Sequence, residues 1–276
     1  IRDRYQDWYG GEPHHKSTLK EGLEKLLNTK IRCVDGWDRI TLRTGDQYVA
    51  VQEDGRLCLS DKADLFVKED WGDGRINLRC ERTGKYVTTI SKGRRQSEEE
   101  DGALVAVKDA AFDWFVTAIF HIIPAGNGVV QLTNRFDQPI QISKDKKLYS
   151  ALTGEGSSFL METVVDGFEE VQRLTQCAKT VILALGCHPM VNAKEEIDRT
   201  TLALPPHQEK LAKMICKIKP DAICVLFSNY PYTIHSVQNT LPAIVWSATG
   251  SQDMGTAMAQ TLYCLLYTSP SPRDTR

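Results

Sequence analysis

Apolar and polar positions follow two different rhythms along this chain. From about residue 38 to 162, short strand-like runs alternate with charged turns. Arg39-Ile40-Thr41-Leu42-Arg43 leads to Gln47-Tyr48-Val49-Ala50-Val51. Arg75-Ile76-Asn77-Leu78-Arg79 leads to Lys85-Tyr86-Val87-Thr88-Thr89, and Val129-Val130-Gln131-Leu132-Thr133 leads to Pro139-Ile140-Gln141-Ile142. Each pair is followed by a turn and another strand, at Asp54-Gly55-Arg56-Leu57, Asp101-Gly102-Ala103-Leu104 and Asp145-Lys146-Lys147-Leu148. Each unit then closes on a phenylalanine-centred run: Leu65-Phe66-Val67, Trp114-Phe115-Val116 and Phe159-Leu160-Met161. The pattern predicts three repeats of four strands, with Leu42, Leu78 and Leu132 in one shared core. The last third has another rhythm. Val181–Leu185, Ala222–Phe227 and Ala243–Trp246 are continuous apolar runs, suited to strands buried on both faces. Alternating with them are helical spacings at Phe168, Val171, Leu174 and Ala178, and at Leu211, Met214, Ile215 and Ile218 after Pro205-Pro206; a last helix is expected from Asp253 to Tyr263. Strands alternating with helices predict a parallel sheet with functional groups at the carboxyl ends of its strands. Before the repeats, Leu19, Leu23, Leu26 and Leu27 fit one helix, followed by a short strand at Ile31-Arg32-Cys33-Val34.

A helix and strand stranded ahead of the repeats point to an insertion. The expected fold class is therefore α/β, a partial sandwich with a mainly parallel sheet, interrupted by an all-β module. The threefold module resembles a β-trefoil. It is more like the fascin type than the ricin type, since no Q-x-W triplet occurs within residues 38–162. The divisions expected are 5–37 with 163–263 for the α/β domain and 38–162 for the insertion. Residues 1–4 and 264–276 read as translated library-adapter sequence and are set aside.

Composition narrows the field. A net charge of −2 gives no basic excess with which to attract nucleic acid or an anionic membrane. The eight cysteines form no CxxC pair and sit mostly in apolar runs, which suits buried free thiols in a reducing compartment such as a bacterial cytoplasm. No apolar run approaches a membrane span. Gly250 to Gly255 has the glycine spacing of a phosphate loop but lacks the Lys-Ser/Thr that follows it. Cys187-His188 has no second ligand pair at metal-binding spacing, so neither metal nor cofactor is expected. His14-His15 reads as an exposed loop pair.

One stretch is more specific. Leu185-Gly186-Cys187-His188-Pro189-Met190-Val191-Asn192-Ala193-Lys194-Glu195-Glu196-Ile197-Asp198-Arg199 is followed by Leu202-Ala203-Leu204-Pro205-Pro206-His207-Gln208. Together with Asn229–Tyr232, Ala243–Trp246, Gly250–Ala257 and the early Trp8–Pro13, it resembles the second domain of family 3 glycoside hydrolases, the β-glucosidase and β-xylosidase family. There a strand ends in Gly, an E-x-x-D-R loop follows, and LxLPxxQ opens the next helix. The resemblance implies a retaining exo-acting β-glycosidase whose two carboxyl groups come from different domains. Glu195, the Glu of E-x-x-D-R, is then the acid/base candidate, with its neighbour Glu196 as the rival. Asp198 and Arg199 are the candidates for holding the loop. The nucleophile would lie on the family's barrel domain, and this polypeptide alone would be inactive. A β-linked oligosaccharide or aryl glycoside and that barrel domain are the partners implied. The competing reading is a non-catalytic binding scaffold built on the threefold module.

Overall fold

The structure is a computed structural model that describes residues 14–90, 102–188, 190–192, 199–250 and 252–263. The early loop at Trp8–Pro13, the acidic stretch at Ser97–Glu100 and both tails lie outside them.

Twelve strands build the threefold part. The first repeat holds β1 (Asp38–Thr44), β2 (Gln47–Val51), β3 (Leu57–Ser60) and β4 (Phe66–Asp70). The second holds β5 (Arg75–Cys80), β6 (Tyr86–Thr89), β7 (Leu104–Lys108) and β8 (Phe120–Gly126). The third holds β9 (Val129–Asn134), β10 (Ile140–Ile142), β11 (Leu148–Ser150) and β12 (Ser158–Val165). The first and last strands of each repeat pair antiparallel in a ring, β1-β4-β5-β8-β9-β12 and back to β1. A closed ring leaves none of those six strands as an open edge. The middle strands form three hairpins, β2-β3, β6-β7 and β10-β11. Bridges Arg56–Val105, Ala103–Tyr149 and Cys58–Lys147 join each hairpin to the other two, so they meet as a cap. Leu42, Leu78 and Leu132 lie in one core with Phe66, Phe120 and Phe159, all almost wholly buried.

The expected phenylalanine strand at Trp114–Val116 is not a strand. The equivalent of Phe66 and Phe159 is Phe120, on β8. Asp113 explains the shift. Its carboxylate accepts from the Thr117 N–H and hydroxyl at 3.2 and 3.0 Å, which folds the segment into a turn.

After β12, helix α2 (Gly167–Cys177) is capped by Asp166, whose carboxylate accepts from the Phe168 and Glu169 N–H groups. Then come β13 (Ile182–Gly186), α3 (Pro206–Ile218), β14 (Ile223–Phe227), the short α4 (His235–Gln238), β15 (Ala243–Ser247) and α5 (Met254–Leu262). Strands β13, β14 and β15 pair in parallel in that order. Alternate residues face opposite ways, as the pleat requires. Leu183, Leu185, Cys224 and Leu226 pack with Val171, Ala212, Ile215 and Val237. Ile182, Ala184, Val225 and Phe227 pack with Met254 and Met258 of α5 and with Leu19. Leu19 belongs to the helix ahead of the threefold part, α1 (Leu19–Leu27), which opens on a capping box between Thr18 and Glu21. The strand expected at Ile31–Val34 is absent; the Ile31 N–H donates to the Glu24 carboxylate at 2.9 Å instead of to a ladder.

The expected class needs correcting. Among the described residues twelve of the fifteen strands are antiparallel, the closed six-strand barrel dominates, and the parallel sheet has three strands. The protein is mainly β, not an α/β sandwich with a mainly parallel sheet. Three apolar runs can supply no more than three parallel strands, while every repeat of the middle region adds four antiparallel ones. Among the described residues no helix is long and apolar enough to cross a membrane.

The two parts are joined tightly. Arg39 of β1 pairs with Val165 of β12, and the Gly167 N–H donates to the Asp38 carboxylate at 3.1 Å. A Cβ on Gly167 would sit 2.2 Å from the Gly36 carbonyl oxygen, so the incoming and outgoing segments of the barrel cross in backbone contact. Trp37 stacks on His207 of α3 with ring centres 3.8 Å apart, and Phe168 of α2 lies 4.8 Å from the same imidazole.

Candidate functional site

The carboxyl ends of β13, β14 and β15 carry the loops where the sequence places the chemistry. β13 ends at Gly186, whose backbone is gripped by a side chain from α3. The Gly186 N–H donates to the Gln208 Oε1 at 2.9 Å, and Gln208 Nε2 donates to the Gly186 carbonyl at 2.7 Å. Gln208 is buried, so both halves of its amide are used where an unpaired one would cost most. This gives a physical role to the Gln of LxLPxxQ.

The loop then turns at once. Asn192 Oδ1 accepts from the His188 N–H at 2.8 Å, and the Val191 and Asn192 N–H groups both donate to the His188 carbonyl. His188 and Asn192 are buried. Cys187 lies beside Ser228, at 3.7 Å between Sγ and Oγ, and burial raises its thiol above the ordinary range. The low-pKa thiolate of a nucleophilic cysteine is therefore disfavoured here.

Glu195, Glu196 and Asp198 fall outside the described residues. Arg199, on the far side of them, is described. Its guanidinium donates twice to the Pro231 carbonyl, 3.1 Å from each terminal nitrogen. It also lies 4.5 Å from the centre of the Tyr232 ring and 5.5 Å from that of Tyr230. Planar guanidinium stacking with a forked pair of donors is what arginine offers and lysine does not. Burial pushes the Tyr232 phenol well above its ordinary value, so the ring stays neutral beside the cation. Thr233 N–H donates to the Leu202 carbonyl at 2.7 Å, which fastens the two loops again three residues further on. Beyond the end of β15, the Thr249 N–H donates to Asn229 Oδ1, in the loop after β14, at 2.8 Å.

The sequence reading took Asn229–Tyr232 only as part of the family-like pattern and missed the two tyrosines as a clamp. Their i, i+2 spacing around a proline was the available signal. It also missed the barrel's share. Trp71 meets His188 edge-on at 5.2 Å, and the Thr200 hydroxyl donates to Asp73 at 3.0 Å. His15 is more than an exposed loop residue, since its Nε2 lies 2.8 Å from the carboxylate of Asp253 at the start of α5. Among the described residues no group of three His, Cys, Asp or Glu side chains is placed to hold a metal.

Strand-end loops fastened from several sides make a platform for a group that must be held in place. The family model for the glycosyl hydrolase family 3 C-terminal domain matches residues 3–271, and the chain belongs to that family. No curated protein matches it. Among solved structures, a designed threefold-symmetric protein, ThreeFoil, is similar at 16% identity over 47% of this chain and 100% of that one, with a TM-score of 0.37.

Proposed function

We propose that this chain contributes the acid/base carboxyl of a retaining, exo-acting β-glycosidase that cleaves β-glucosides or β-xylosides. Glu195 is the acid/base, and the nucleophile belongs to the family's barrel domain. Retaining glycosidases need two carboxyl groups about 5–5.5 Å apart, and a carboxyl on a strand-end loop can reach over a neighbouring barrel mouth. Residues 38–162 are taken as a fascin-like β-trefoil inserted between 5–37 and 163–263. The observation that supports the reading best is the fastening of Arg199, four residues beyond Glu195, to Pro231, Tyr230 and Tyr232 at the carboxyl ends of parallel strands. A binding scaffold has no need of so firm a hold on a loop that follows a strand end.

Kinetics of the full-length enzyme test it. Glu195→Ala slows substrates with poor leaving groups by about 10²–10⁴-fold, the usual worth of general acid–base help. Activated aryl glycosides are nearly spared in their first step, and azide restores part of their turnover with a β-configured product. If Glu196→Ala shows this behaviour while Glu195→Ala stays near wild type, the assignment moves by one residue. If neither does, the glycosidase reading fails.

A further inference from the structure

The hydrogen bonds and packing around the loop after β13 come from an unexpected quarter. Met190 and Val191 are 1% and 0% exposed, yet they belong to the core of neither face of the parallel sheet. They are buried among residues of the barrel part: Trp37, Val67, Trp71, Ala111, Val116 and Ile119. The turn between β4 and β5 forms the rim of that socket. Trp71 is held by its indole N–H, which donates to the buried Asn77 Oδ1 at 2.9 Å, and its ring meets His188. Gly72 lies against Pro206, where an added Cβ would come within 2.9 Å of the proline ring. Asp73 accepts from Thr200. One short turn thus touches the segment before residues 193–198, the residue just after Arg199, and the first residue of α3.

The geometry points to a positioning role for the threefold barrel: its β4–β5 turn and apolar socket hold both flanks of the segment that carries Glu195. Trp71, Asp73, Met190 and Val191 are positioning residues, since none of them needs to touch a sugar. The apolar burial fixes where the loop leaves β13. The Thr200–Asp73 bond fixes where it returns. A general acid works only within hydrogen-bond reach of the leaving oxygen, so a loop fastened at both ends shortens the search for that geometry. The catalytic meaning of this hold rests on the glycosidase reading above; the hold itself does not.

Hydrogen exchange on this chain separates the two. Thr200→Val removes the donor and Asp73→Gly removes the acceptor. Glycine suits the left-handed backbone of Asp73, whose φ is 53°. Val191→Ala trims the apolar anchor. Each raises amide exchange in peptides covering Met190–Asn192 and Arg199–Leu202 by about two- to fivefold, the factor expected for one ordinary hydrogen bond or less. Exchange in β1 and β14 stays unchanged. Thr200→Ser and Asp73→Asn, which keep the bond, stay at wild-type exchange. The proposal is overturned if the flanks of Thr200→Val and Asp73→Gly exchange as in wild type, or if β1 and β14 loosen equally. In the full-length enzyme the same variants lower kcat for poor leaving groups and leave KM nearly unchanged. If the flanks loosen but catalysis by the Glu195 carboxyl is absent, the glycosidase reading fails and the hold stands.

Discussion

At the scale of single residues, two glycines fix how closely the segments before and after the barrel approach. A Cβ on Gly255 of α5 would lie 2.2 Å from the Ser17 carbonyl oxygen, and one on Gly22 of α1 would lie 2.4 Å from the Gly255 oxygen. The contact is reinforced by the Gly255 N–H, which donates to the Ser17 carbonyl at 2.9 Å, and by the Ser17 and Thr256 hydroxyls at 2.6 Å. Because the obstacles are backbone atoms, they cannot swing aside. Gly255→Ala is therefore expected to cost about 1–3 kcal/mol, the usual penalty of overpacking, read as a lower denaturation midpoint in urea. Gly250→Ala is the control, since its Cβ would meet atoms no nearer than 3.8 Å. Gly255 stood out in the sequence as part of a family-like motif, but its reason was not legible there. Close approach depends on a partner 233 positions earlier, and local periodicity carries no information about that.

Among elements, the clearest tie in the barrel links three connections. Asp64, between β3 and β4, accepts from Arg82 at 2.7 and 2.8 Å and from the Val51 N–H at the end of β2 at 2.8 Å. Arg82, in the turn between β5 and β6, also donates to the Val51 carbonyl at 2.7 Å. The Arg82 hydrogen bond, followed by that of Val51, holds the Asp64 carboxyl below its usual range against the opposing effect of burial. A carboxyl depressed in the fold stabilises fully above its unfolded value, about 3.9, and that stability is lost as pH falls through the lower folded value. Arg82→Ala is expected to lose about 1–2 kcal/mol at pH 7, a figure reduced for the exposure of Arg82. The gap between variant and wild type narrows below about pH 4, which denaturation at a series of pH values will show. Strands of the repeats were legible because their alternation with turns recurs three times. The Trp114–Val116 error has the opposite cause. Aromatic residues favour strands, so Phe112, Trp114 and Phe115 mimic one, while a single aspartate at 113 decides for a turn. Ile31–Val34 misled similarly, since an apolar run says nothing about whether a neighbouring strand is there to receive it.

For the molecule as a whole, the joint between barrel and parallel sheet is aromatic and imidazole-rich. His207 is stacked on Trp37 and tilted against Phe168. Burial lowers its pKa below the ordinary histidine value, with Asp35, Asp38 and Asp70 opposing the shift. The unfolded chain therefore binds the proton more readily than the fold does. The joint is fully stable above about pH 6.5 and weakens as pH falls from there toward the folded value. His207→Phe keeps the stack and removes the proton. It is expected to flatten the dependence of melting temperature on pH between about 5 and 7. Fold class was the least legible property at this scale. The rhythm of the last third is the clearest in the chain, but clarity of pattern is not size, and the quieter repeats hold most of the strands. The site was legible only in part. Arg199 could be picked out by a motif, whereas Trp71 and Asp73 reach His188 and Thr200 from 117 and 127 positions away and leave no local mark.

The crossing of Gly36 with Gly167 has a kinetic consequence. Asp38 and Gly167 are 129 residues apart in sequence yet bonded in space. For a flexible chain, the entropy lost on bringing two such points together grows as the logarithm of the loop between them. Once the barrel has formed, that intervening loop no longer counts, and α1 searches for α5 as though the two were separated by the remaining chain alone. A barrel that folds first thus shortens the effective contact order of everything outside it, and the parallel sheet inherits a faster search from a part of the chain it does not contain.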